Sequence, residues 1–210
     1  LEHVRTLVDS LADAHEGGSG SAPETVEELV AAHPSGLKVL VLSSSPLKAG
    51  RLDPAAVADA IDGARRSFDV IVVDLHPDYD VLNRAIFGRT DRILVPVTPD
   101  VPALRAAVQL CDVASELGFR DKLALVINRV NSGVSVADME RTVGMTTFAT
   151  IRSAGLQLVK AANEGRTVID LFPGEKVSGD FRALAERVIG MPRPKEAARA
   201  SIRGLFARKE

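Results

Sequence analysis

From Phe68 to Asp80 the chain reads FDVIVVDLHPDYD, and this stretch restricts the fold more than any other. Val70, Ile71, Val72 and Val73 are β-branched and show no alternation of apolar with polar residues. A strand with one wet face alternates. An unbroken run suits a strand covered on both faces, as in a parallel sheet flanked by helices. The run ends in Asp74 and a Pro-containing turn. In doubly wound sheets the carboxyl ends of the strands open into the ligand crevice. Asp74 therefore stands where a carboxylate could order Mg²⁺ and a nucleotide. An Asp there can equally cap a turn or a helix, and this segment alone leaves both roles open.

The rest of the chain supplies the other layers. Strands are expected over 37–42, 93–97, 123–127 and 148–151. Helices are expected over 1–15, 23–31, 54–68, 79–87, 101–117, 135–143, 155–163 and 179–189. Asp53-Pro54 is an N-cap followed by Pro at N1; Gly118 and Gly144 are helix stops. Residues 16–22 (EGGSGSA) read as a flexible junction. Strands alternating with helices imply a parallel sheet with right-handed crossovers. The fold class is α/β: three layers, a mostly parallel sheet between helices, with one domain over 1–190 and a separate tail over 191–210.

Composition narrows the function. Apolar residues make up 46% of 210 residues, enough for a core, whereas aromatics are 4%, with no Trp and one Tyr. Base-stacking nucleic-acid modules need exposed aromatics and are disfavoured. The net charge of −2 gives no basic field for DNA, so there is no direct nucleic-acid signal. The single Cys111 cannot form an internal disulfide, which agrees with a cytoplasmic location. No apolar stretch reaches about 18 residues.

Consecutive strands end at Asp74, at Thr98-Pro99-Asp100 and at Asn128-Arg129. In a parallel sheet those ends share one rim. Asp74 could hold a metal-bound water. The Asn128 amide, donor and acceptor together, suits a purine edge, and Arg129 could stack on a base or bind phosphate. Each also has a structural reading: Asn and Arg cap turns, and Thr-Pro-Asp starts helices.

Four segments in this order, FDVIVVDLHPDYD, DRILVPVTPDVPALRAA, LALVINRVNSG and AANEGRTVIDLFP, resemble the ParA/MinD-type deviant P-loop ATPases, SIMIBI-like in fold. The likeness is strongest to their CpaE/TadZ-like branch, which serves pilus assembly and polar or septal localisation. It spans about residues 37–189. The resemblance implies a Walker B role for Asp74, holding Mg²⁺ through water. It implies a switch II role for Leu75, His76, Pro77 and Asp78, and nucleotide contact by Asn128 and Arg129. It further implies ATP and Mg²⁺ as cofactors of the intact family, a face-to-face homodimer, and partners in pilus, secretion, division or localisation machinery.

The chain also departs from that pattern. The family's Gly-rich phosphate loop ends in Lys-Thr or Lys-Ser and carries a signature Lys. No such segment occurs in these 210 residues, and 17–21 (GGSGS) has no Lys and follows no strand. The acidic motif of the family's second strand is also absent. Starting at Leu1-Glu2 rather than Met, the chain is expected to lack the family's N-terminal strands and Walker A segment, and to be inactive alone. His76 and Asp78 replace a Pro and a small residue common in relatives, and Asp78 adds charge near where a γ-phosphate would lie. Without its family neighbour, the 70–73 strand is expected to leave an apolar edge that must pair elsewhere or reorder.

Residues 195–209 (KEAARASIRGLFARK) are basic and amphipathic. Ala198, Ile202, Leu205 and Phe206 share one helical face, with Arg199 and Arg203 off it. Such a helix can rest on an anionic membrane, and it resembles the MinD membrane-targeting helix. Ile202, Arg203, Leu205 and Phe206 are the expected membrane contacts, placing the protein peripherally at the inner face of the plasma membrane. Three readings result: part of an ATP-dependent positioning protein; a non-hydrolysing scaffold with a degenerate nucleotide site; and a Rossmann-like enzyme. The absence of GxGxxG after a strand counts against the third.

Overall fold

A computed structural model describes residues 25–43, 45, 47, 50, 52–130 and 133–190. The expected helix over 1–15, the junction over 16–22 and the basic tail lie outside the described residues. The chain divides after Arg89 into two compact units.

In the first unit, α1 (Val26–Leu29) leads into a short antiparallel hairpin of β1 (Ala31–Ala32) and β2 (Lys38–Val39). The strand expected over 37–42 is thus two residues long and pairs with its immediate predecessor. α2 (Pro54–Ser67) begins as the sequence dictates: the Asp53 carboxylate accepts from the Ala55 N–H at 3.1 Å, and Pro54 occupies the first turn, where no N–H is needed. α3 (Val81–Arg89) starts two residues later than expected. Leu29, Val57 and Ile86 form the core of this unit, with Val73, Leu75 and Leu82 packed against it.

The strand expected over 70–73 is not present as a strand. Among the described residues, 69–76 pair with no other strand. Val73 and Leu75 face the core, while Val70 and Val72 are exposed, Val72 at 85%. A β-branched run becomes a strand only where a neighbour completes its hydrogen-bond ladder.

The second unit holds the parallel sheet. β3 (Ile93–Val97), β4 (Leu123–Val130) and β5 (Thr147–Arg152) stand in the order β3-β4-β5, in register Val97↔Ile127 and Asn128↔Ile151. α4 (Val101–Glu116) and α5 (Val136–Val143) cover one face, enclosing Val95, Val97, Leu125, Ile127 and Met139. On the other face Val126 and Ile151 lie under α6 (Leu156–Asn163), α7 (Val168–Leu171) and α8 (Lys176–Ile189). Successive side chains of a strand point to opposite faces. Covering both faces therefore buries Leu123 through Ile127 without a break. Gly144 ends α5 at φ 66°, and its N–H bonds the Glu140 carbonyl at 2.8 Å, a stop that favours glycine.

Candidate functional site

The rim of the second unit is built by register. Val97 pairs with Ile127, so Thr98, just past β3, and Asn128, near the end of β4, stand side by side. Thr98-Pro99-Asp100 is a turn in which Asp100 caps α4. One carboxylate oxygen accepts from the Ala103 N–H at 2.9 Å, and the other accepts from the Thr98 hydroxyl. The Thr98 bond, then the Ala103 N–H, hold the Asp100 carboxyl below its ordinary range; partial desolvation opposes them and the Arg129 charge adds to them. Asp100 is thus committed to its helix. A Cβ at Gly133 would stand 3.5 Å from the Pro99 carbonyl, so the chain after β4 lies against this turn.

β4 runs to Val130, three residues past the expected end, and its pairing with β5 shifts register between Asn128 and Val130. Arg129 sits at that shift with φ 59°, the one non-glycine residue with positive φ among the described residues. A left-handed conformation costs a residue with a Cβ roughly 1–2 kcal/mol, and such strain collects at binding sites. Asn128 is half-buried, Arg129 is exposed, and the Asn128 side-chain amide carries no hydrogen bond among the described residues. At the third strand end, Arg152 of β5 is held by Asp180 of α8. Its Nε and Nη2 donate at 2.7 and 2.9 Å, and its backbone N–H donates at 2.9 Å.

Within the second unit the Thr98-Pro99-Asp100 and Asn128-Arg129 ends therefore lie side by side. Asp74 belongs to the first unit, where its carboxylate is exposed between the core-packed Val73 and Leu75. His76, Pro77 and Asp78 are exposed as well. Among the described residues no group of three or more His, Cys, Asp or Glu is placed to hold a metal ion. No helix among them is long and apolar enough to cross a membrane. Ile202, Arg203, Leu205 and Phe206 lie outside the described residues.

Sequence reasoning missed two polar anchors, Asn83 and the Arg152–Asp180 pair. Asn83 had a signal: with Ile86 and Phe87 it falls at i, i+3 and i+4, a polar residue on the buried face of α3. Arg152 and Asp180, 28 residues apart, carried none.

No protein-family model matches the chain. It is 28% identical over 137 residues to the septum site-determining protein MinD of Thermotoga maritima, covering 61% of this chain and 50% of that protein. It is 20% identical over 161 residues to MinD of Bacillus subtilis, covering 74% of this chain and 60% of that one. The chain is similar, at low identity, to MinD/ParA-type ATPases. It spans about half to three-fifths of the length of these curated relatives. A ParA family ATPase from Chlorobium tepidum superposes with a TM-score of 0.77 at 19% identity, over 90% of this chain and 77% of that one. MinD of Pyrococcus horikoshii, solved with Mg-ADP, gives 0.73 at 16% identity, over 90% and 74%. The fold is thus the α/β arrangement of the MinD/ParA P-loop NTPases.

Proposed function

We propose that this chain is part of an ATP-dependent positioning protein of the MinD/ParA kind, acting in septum placement, polar localisation or, as in the CpaE/TadZ-like branch, pilus assembly. The observation that carries the reading is the strained backbone of Arg129 beside the half-buried Asn128 at the strand rim, whose amide has no hydrogen-bond partner among the described residues. Both stand on the segment that resembles the family's adenine-contacting stretch. Asn128 would read a purine edge with its donor and acceptor, and Arg129 would face the base or a phosphate. Asp74 offers one exposed carboxylate, which fits Mg²⁺: that ion keeps several waters and takes one or two protein carboxylates. When bound, Mg²⁺ would neutralise phosphate charge. The intact protein would work as a homodimer with localisation or division machinery, and the basic segment 195–209 would add a peripheral hold on an anionic membrane.

A second reading, a non-hydrolysing scaffold, is favoured by the Asp78 carboxylate, which accepts from the Asp80 N–H at 2.6 Å and so closes the turn after Asp74. Both readings meet the same titration. Mg-ATP added to the full chain, followed by backbone amide shifts, is expected to move Asn128, Arg129 and Gly133 with an affinity no tighter than about 1 mM, because no Lys-Thr phosphate loop occurs in these residues. Unmoved amides at all three positions would sink the nucleotide reading. Micromolar binding would show that a phosphate grip exists within the chain after all.

A further inference from the structure

Asn83 and Ser178 are the buried polar side chains among the described residues. Ser178 is accounted for by α7, since its hydroxyl bonds the Val168 and Phe172 carbonyls. Asn83 does something else. At 5% exposure it gives both amide hydrogens to the turn that follows Asp74, one to the His76 carbonyl at 2.9 Å and one to the Asp78 carbonyl at 2.8 Å. Both partners are carbonyls, so only the NH₂ end of the amide can face them. The turn closes on the same helix through Asp80, whose carboxylate accepts from the Asn83 backbone N–H at 2.7 Å.

His76, Pro77 and Asp78, in the middle of this turn, are all exposed. The Asp78 N–H closes it locally on the His76 carbonyl at 2.8 Å, and Asn83 ties it to the helix, with the Asp78 and Asp80 carboxylates bracing it. Asp74 joins the anchored carbonyls through one residue, Leu75, which packs on the core. We propose that Asn83 is a positioning residue for Asp74: it latches 76–80 onto α3, and rearrangement of the segment on ligand binding must break the two amide bonds. The link to ligand rests on the nucleotide reading above, while the latch itself is measurable without nucleotide, so the two can fail separately.

Hydrogen exchange and amide shifts on the ligand-free full chain test it. In the unaltered chain the Asp78 and Asp80 amides should exchange more slowly than in a coil; coil-like rates there would overturn the latch whatever the variants do. Asn83→Ala and Asn83→Asp should each speed exchange at Asp78 and Asp80 about tenfold or more, the loss of two buried hydrogen bonds, and should shift the Asp74 amide, while residues 123–127 keep their rates. Asn83→Asp decides between donation and mere volume, because it keeps the shape but cannot donate when ionised. Unchanged exchange in Asn83→Asp would refute the latch, and an unmoved Asp74 amide in both variants would refute the positioning.

Discussion

Replacing Asp180 with Ala removes three hydrogen bonds that converge on one carboxylate at the end of β5. Two come from the Arg152 guanidinium, and Arg152 is 41% exposed. Water can take over there, so their loss is discounted to about 0.5–1 kcal/mol. The third comes from the Arg152 backbone N–H, and Asp180 is only 15% exposed. Losing a charged acceptor for a backbone donor costs about 1–2 kcal/mol. Together the change should destabilise the second unit by about 2 kcal/mol. With a urea slope of about 2 kcal/mol/M, the midpoint falls by about 1 M. Equilibrium urea unfolding at pH 7 measures it. Titration gives an independent arm. The Arg152 hydrogen bonds hold the Asp180 carboxyl below its ordinary range against partial desolvation. Its contribution is therefore complete above the unfolded-state value of about 3.9 and fades as pH falls through the lower folded value, because the unfolded chain takes up the proton first. Below about pH 4 the unaltered chain should lose stability more steeply than Asp180→Ala. A midpoint change under about 0.2 M, or parallel pH profiles, would refute the reasoning.

Leu125 is fully buried at the centre of β4 beneath α4 and α5, so Leu125→Ala should cost about 3 kcal/mol in the same unfolding assay; a loss under about 1 kcal/mol would mean that the face collapses around the deleted atoms. For the basic tail, co-sedimentation with anionic liposomes should weaken in Phe206→Glu, whereas equal pelleting of both proteins would remove the membrane proposal.

Much of the fold was legible because local chemistry and tertiary demand agreed. Asp53-Pro54 and Gly144 mark helix ends through hydrogen bonds made within a few residues. LALVI at 123–127 reads as a strand buried on both faces, and it is one. VIVV at 70–73 carries the same signal and pairs with no other strand among the described residues. The two runs differ in their neighbours. β4 lies between β3 and β5, and its residues are covered from both sides, whereas among the described residues 70–73 joins no ladder.

The site divides in the same way. The sequence alone supplied the residue types: Asp74 after an apolar run, and Asn128-Arg129 at the end of a strand. Their arrangement came from the folded chain. Register between parallel strands set Asn128 beside Thr98, and a one-residue shift against β5 turned Arg129 into a left-handed conformation. Packing of α3 carried Asn83 into the core, where its amide could reach two carbonyls. Periodicity and capping are local and can be read along the chain, but a ladder, a register shift or a buried amide needs a partner. Only the tertiary structure brings that partner within hydrogen-bonding distance.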